Sequence, residues 1–213
     1  MKGPIEILYP NACILCDRLL PEGEFLCESC RKDAPYFKNS KRKLPFLDSF
    51  TAVWYYKDYA RDSILRYKFG RRTDLAPAYG AYLAARIRRD YPEGFDLLTW
   101  VPVSPLRRVQ RGYDQCHLLA KALGKELSMK PRRLLFKFRH NQAQSSLSDP
   151  ALRRGNVAGA YRILHKKEIP GKRILLIDDI LTTGATAGEC ARMLKTYGAA
   201  EVHCAVLASA HKD

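Results

Sequence analysis

No apolar run in the sequence approaches the roughly 20 residues that span a bilayer, which excludes insertion into a membrane through a helix. The first residues, Met1-Lys-Gly-Pro-Ile-Glu-Ile-Leu-Tyr9, lack the apolar region of a secretory leader, so a cytoplasmic location is expected. There is no internal repeat and no low-complexity stretch, which excludes a solenoid or a biased disordered segment. Acid is scarce: 22 Asp and Glu face 37 Lys and Arg, a formal charge of +15. Phenyl rings are scarce where the basic residues concentrate. Residues 101–139 hold ten Lys and Arg, with only Asp114 and Glu126 in return and only Tyr113, Phe136 and Phe138 as rings. That balance suits a polyanionic ligand or nucleic acid, a solvated basic surface being the plainer alternative. The shortage of rings argues against a stacking platform for single strands.

What is present fits one ordinary domain with a small appendage. The chain has 213 residues, 46% hydrophobic and 28% charged, enough to bury a core in a soluble fold. Seven cysteines divide into two groups. Cys13-x2-Cys16 and Cys27-x2-Cys30 are two knuckles a short hairpin apart, the ligand spacing of a tetrahedral Zn²⁺. A reducing compartment disfavours disulfides, and neither pair opens a helix after a strand as a thioredoxin-type motif does. A closed four-thiolate site leaves no open position, so the expected Zn²⁺ is structural and folds a segment too short for its own core. Residues 1–44 read as this zinc-binding module with its basic linker, Lys38-Asn-Ser-Lys-Arg-Lys43, and residues 45–213 as the main domain. Cys116, Cys190 and Cys204 have no partner spacing and read as buried or partly buried free thiols.

In the main domain, Asp48–Tyr56 reads as a strand, and residues 60–69 and 74–91 as helices on either side of Gly70-Arg71-Arg72. Asp96–Pro102 is a second strand, halted by Pro102 and Pro105, which impose an irregular loop. Residues 114–126 read as a helix with Asp114 at its N-terminus. The strand Ile174–Ile177 leads to a helix closed near Tyr197 by Gly198, and Val202–Ala208 is the last strand. This alternation implies an α/β fold, a parallel sheet flanked by helices. The polar segment 137–156 reads either as a loop, with a short helix after Asp149-Pro150, that closes over a sugar phosphate, or as an exposed connector.

The chemistry concentrates in Ile174-Leu-Leu-Ile-Asp178-Asp179-Ile-Leu-Thr182-Thr183-Gly184-Ala185-Thr186. An apolar strand runs into a carboxylate pair at the edge where open α/β sheets bind ligands. Carboxylates accept hydrogen bonds from neighbouring sugar hydroxyls. The hydroxyl-rich turn then opens a helix, whose N-terminus suits a phosphate. Capping explains one Thr or one Asp here, not the whole set. The loop after Pro102 leaves the same sheet edge with Arg107, Arg108 and Arg111, whose guanidinium forks match phosphate oxygens; the alternative for each is an ordinary surface charge.

Residues 174–186 resemble the phosphoribosyl-pyrophosphate (PRPP) loop of type I phosphoribosyltransferases. The resemblance implies that Asp178 and Asp179 hold the ribose, in the catalytic role, and that Thr182, Thr183, Gly184, Ala185 and Thr186 hold the 5′-phosphate. It implies that Arg107, Arg108 and Arg111 meet pyrophosphate, with Mg²⁺ bridging pyrophosphate and ribose. Other segments stand in a telling order with this loop. They are the paired CxxC module, Lys68-Phe69-Gly70, Arg107-x3-Arg111-Gly112-Tyr113-Asp114-Gln115 and Arg139-x2-Gln142-x4-Leu147-x5-Arg153-x2-Asn156. The order resembles the ComF family of phosphoribosyltransferase-like proteins over nearly the whole chain, and marks Arg139, Gln142 and Arg153 as a flexible loop. Family members usually have Asn where this chain has Asp114, which when ionised only accepts hydrogen bonds. Three functions follow from the resemblance. One is transfer of phosphoribose to a nitrogen nucleophile with release of pyrophosphate. Another is a non-catalytic role in natural competence, with a helicase on single-stranded DNA. The third is PRPP sensing. No residue in the sequence stands out as a general base.

Overall fold

The computed structural model describes residues 11–40, 42–138 and 159–210; the Arg139, Gln142 and Arg153 loop lies outside the described residues. In chain order the elements begin with α1 (Glu28–Asp33), β1 (Ser49–Tyr55), α2 (Asp58–Phe69), α3 (Ala76–Asp90), β2 (Leu97–Trp100), α4 (Pro105–Arg111) and α5 (Gln115–Glu126). They continue with β3 (Leu135–Lys137), β4 (Tyr161–Ile163), β5 (Arg173–Leu181), α6 (Ala185–Thr196) and β6 (Glu201–Ser209). Among the described residues, β1, β6, β5 and β2 form a parallel sheet in that spatial order, and β3 pairs with β4 antiparallel.

Uninterrupted apolar strands require cover on both faces of a sheet. Leu175, Ile177, Ala205 and Leu207 pack into one core with Ile64, Tyr67, Tyr79 and Leu119 of α2, α3 and α5. Their neighbours Ile174, Leu176, Cys204 and Val206 pack into the other with Tyr161, Ile163, Cys190 and Leu194 of β4 and α6. Cys116, Cys190 and Cys204 are free and buried, as expected. No helix among the described residues is long and apolar enough to cross a membrane.

Two expectations need correction. The segment after Pro102 is not an irregular loop but the helix α4. Pro105 occupies its first turn, where a missing N–H costs nothing, and Ser104 caps it by accepting the Arg107 N–H at 3.4 Å. Gly112, at φ +81°, ends it in the left-handed conformation. Secondly, β5 does not stop at Ile177. β2 ends at Trp100, opposite Ile177, while β5 keeps pairing with β6 as far as Leu181 beside Ser209. The last four residues of β5 therefore stand beyond the end of β2, with one edge open.

The cysteine region shares the first core: Ile14, Leu15 and Leu26 cluster with Ile64, Tyr67 and Tyr79. Ser63 donates to the Ile14 carbonyl, and Arg66 Nη2 to those of Ile14 and Leu15 at 3.2 and 3.0 Å. Arg66 also pairs with Asp17 at 2.9 Å. The stretch leading out is held at its start. Phe37 N–H bonds Val53 O at 2.9 Å, and buried Arg86, paired with Asp90 at 2.6 Å, donates to Phe37 O and Asn39 Oδ1.

Candidate functional site

The overhang of β5 carries the carboxylate pair. Asp178 and Asp179 are 8% and 4% exposed and line a cavity of about 870 Å³, within the size range of small-molecule sites. Lys68, from the last turn of α2, lies 2.8 Å from Asp179 Oδ2 and 3.1 Å from Oδ1. Gln115, at the start of α5, donates its Nε2 to Asp179 Oδ2 at 3.0 Å. Asp178 Oδ1 accepts the Cys116 thiol at 3.3 Å and the Asp179 N–H at 2.8 Å. Tyr67 steadies this corner by donating to the Gln115 carbonyl at 2.7 Å.

The two acids part in their titration. Burial, and then the charge of Asp179, push Asp178 up to about 7. Burial alone would also raise Asp179, but Lys68 and Gln115 outweigh it and hold Asp179 below the usual carboxylate range. The Cys116 thiol is pushed well up by burial and by both acids, so it stays protonated.

The turn after β5 enters α6 through Gly184, at φ +78°, where a Cβ would also lie 2.8 Å from Leu44 Cδ2. Only glycine meets both demands. Thr182, Gly184, Ala185 and Thr186 line the cavity, beside the first N–H groups of α6, which have no partner within the helix. Thr183 does not line it; its hydroxyl accepts the Ala185 N–H at 3.3 Å, a capping role. On α4, Arg107 and Arg111 stand one turn apart and line the cavity, whereas Arg108 does not and is exposed. Arg111 lies over the Phe69 ring, 4.8 Å from its centroid. Burial, then the charge of Arg111, pull Arg107 below the usual guanidinium value. Asp114 caps α5, accepting the His117 N–H at 3.0 Å and Trp100 Nε1 at 3.3 Å; it acts as an acceptor, the role open to an ionised Asp.

At the other end of the chain, Cys13, Cys16, Cys27 and Cys30 bring their sulfurs within 4.8 Å of one another. The Cys16 and Cys27 sulfurs are 3.7 Å apart. A ZnS₄ tetrahedron has edges of about 3.8 Å, from its Zn–S bonds of about 2.3 Å, so the four thiols, all free of disulfides, fit zinc. Cys116, Asp178 and Asp179 also lie within 4.8 Å of one another, but this second cluster fits a resident Mg²⁺ poorly. Its thiol keeps its proton, and both oxygens of Asp179 already contact Lys68.

Comparison with known proteins agrees with both centres. The Phosphoribosyl transferase domain family matches residues 115–213, and the Double zinc ribbon domain family matches residues 5–41. The chain is 28% identical to Competence protein F of Haemophilus influenzae, across 98% of this chain and 95% of that protein. It is 26% identical to the DNA utilization protein YhgH of Escherichia coli, across 94% and 91%. It is 26% identical to Competence protein ComFC of Bacillus subtilis, across 93% and 78%. Over nearly its whole length the chain is similar to these competence and DNA utilization proteins, as the resemblance to the ComF family implies. Its main domain is a type I phosphoribosyltransferase-like sheet, and its cysteine region is a zinc ribbon.

The cavity also gathers residues without an evident role in the sequence. Lys68 stands in Lys68-Phe69-Gly70 and Gln115 directly follows Asp114. Lys137 and Tyr161, on the β3–β4 pair, also line the cavity. Two three-residue strands are too short for a periodic signal, so Lys137 reads in sequence as the start of the polar segment 137–156, whereas it ends the strand β3 and is buried.

Two outcomes follow from these geometries. Elemental analysis of the purified chain should find about one Zn²⁺, and Cys13→Ser should lose the metal and lower the melting temperature; a metal-free chain of unchanged stability contradicts the zinc site. Between about pH 4 and pH 7 the folded chain keeps a proton on Asp178 that the unfolded chain releases. That contribution to stability is therefore present at low pH and lost as pH rises through about 7. Thermal unfolding across this range should show Asp178→Asn gaining on the parent as pH rises, and parallel curves would contradict the shift.

Proposed function

We propose that this chain binds PRPP. The observation that carries the reading is a buried pair of adjacent carboxylates that shares one cavity with a Thr/Gly turn at a helix N-terminus and with two arginines. Ribose hydroxyls would donate to Asp178 and to Gln115 Oε1, a buried acceptor with no hydrogen-bond partner among the described residues. The 5′-phosphate would sit on Thr182, Gly184, Ala185, Thr186 and the first N–H groups of α6. Arg107 and Arg111 would face the pyrophosphate. Residues 45–213 serve as this binding domain in our reading, and residues 1–44 as the zinc module that braces it.

Transfer is a further step on the same reading. Attack by a nitrogen nucleophile forms the C1–N bond, while the C1–O bond breaks and its electron pair leaves on pyrophosphate. The two arginines would stabilise that charge as it develops. The nitrogen would give up its proton to bulk water or to the departing pyrophosphate, since none of the residues assigned above acts as its base. Binding without turnover is the PRPP-sensing form of the proposal. No step is assigned to Mg²⁺, because Lys68 already holds Asp179.

The names of the relatives, competence and DNA utilization, support a second reading: a non-catalytic role on single-stranded DNA alongside a helicase. The outer side of α4 suits it, with Arg108 next to Val109, which is 80% exposed. Phe69 at the cavity mouth, 62% exposed, adds an exposed ring of the kind such binding uses.

PRPP at a hundredfold its Kd is expected to stabilise the chain by about 2.7 kcal/mol, a melting shift of several degrees. Asp178→Asn with Asp179→Asn should abolish the shift, and no shift in the parent sinks the PRPP reading. For DNA, Arg108→Glu should weaken single-strand binding and flatten its salt dependence while the PRPP shift survives; unchanged DNA affinity removes that surface from the proposal.

A further inference from the structure

We infer that Lys68 and Lys137 are the cations with which this cavity neutralises, in turn, its own carboxylate pair and the phosphate groups of its ligand, so that PRPP binds here without a divalent metal ion. The inference rests on the PRPP reading and goes beyond it, by removing the metal from recognition.

Two adjacent buried carboxylates repel one another, and an anionic ligand adds to the strain. A divalent cation held directly by the protein needs free carboxylate oxygens, and Asp179 has none to spare. Here the Lys68 ammonium straddles Asp179 at 2.8 and 3.1 Å, and Gln115 adds a bond of 3.0 Å. Lys68 is itself only 20% exposed, so the ion pair is largely withdrawn from bulk water. Its helix is pinned two residues earlier, where Arg66 holds Asp17 and the Leu15 carbonyl. The cation is thus built into the frame and does not need to be recruited.

Lys137 completes the case from the opposite side. It is 8% exposed, lines the same cavity, and meets no carboxylate among the described residues. Its ammonium lies 5.3 Å from the centre of the Tyr161 ring. Arg107 also lines the cavity, and its guanidinium has no ion pair or hydrogen bond among the described residues. An ammonium buried without a counter-ion is costly, and the molecule that enters the cavity supplies the missing anion. Lys68, Arg71, Arg107, Arg111 and Lys137 line the cavity against Asp178 and Asp179. The excess of positive charge is available to the ligand's phosphates.

The test is titration calorimetry of the full, zinc-loaded chain with PRPP, with Mg²⁺ and in buffer freed of divalent ions by chelating resin, which spares the thiolate-bound zinc. The parent is expected to bind in both buffers with Kd values within about tenfold. Binding only with Mg²⁺ overturns the inference and leaves the PRPP reading intact; no binding in either buffer overturns both. Lys137→Met should raise Kd by about tenfold to a hundredfold in both buffers while the unliganded melting temperature holds or rises, because an unpaired buried charge has gone. An unchanged Kd overturns its role. Lys68→Met should lose metal-free binding and regain it with Mg²⁺, and metal-free binding at parental affinity overturns the role of Lys68. Should Lys68→Met fail to fold, Lys68→Arg keeps the charge and should keep metal-free binding; a need for Mg²⁺ in that variant would count against the inference.

Discussion

Asp178 and Asp179 sit side by side at the end of a strand, nearly cut off from water. Moving two carboxylates out of water costs several kcal/mol each unless charge and hydrogen bonds replace the solvent. Much of the architecture around the cavity serves that replacement. α2 brings Lys68, α5 brings Gln115 and Cys116, and Tyr67 holds the backbone of Gln115 in place. The compensation is uneven, with Asp179 held ionised and Asp178 left near neutrality. The pair therefore carries less than two full charges when a phosphorylated ligand approaches.

The zinc ribbon has a place in this scheme. Its carbonyls at Ile14 and Leu15 receive Ser63 and Arg66, and its apolar residues pack under α2 and α3. A metal-closed loop is stiff, and a stiff loop on one side of α2 fixes where Lys68 emerges two residues further on. The segment leading out of the ribbon reaches the other side of the site, where Leu44 packs against Gly184 in the turn before α6. The ribbon and the sheet thus meet the candidate site at both ends of its charge pattern, through packing rather than through any reacting group.

Some of this was legible in the sequence. The Cys13/Cys16 and Cys27/Cys30 pairs could be read because ligand spacing is a local property. The residue 174–186 segment could be read because strand, acids, turn and helix start follow one another without a break. Other features were hidden for physical reasons. Pro102 and Pro105 resembled strand breakers and nothing more, yet a proline in the first helical turn starts a helix as readily as it stops a strand. Arg107, Arg108 and Arg111 looked alike in sequence until the helical repeat separated two inward residues from one outward. Thr183 looked like its neighbours, yet its hydroxyl turns to the backbone. Lys137 lies in a three-residue strand whose burial depends on a partner strand 24 residues later.

By itself, the sequence determined the class of fold, the zinc ligands, the carboxylate pair and the turn that follows it, since each is written in consecutive or closely spaced residues. Only the tertiary structure decided what the pair is bonded to. Lys68 and Gln115 lie 111 and 64 residues from Asp179 along the chain, and they reach it only because the parallel sheet and its helices carry them to one edge. Electrostatics acts through space and is strongest where water is excluded, so the state of charge of this site belongs to the fold and not to any stretch of sequence.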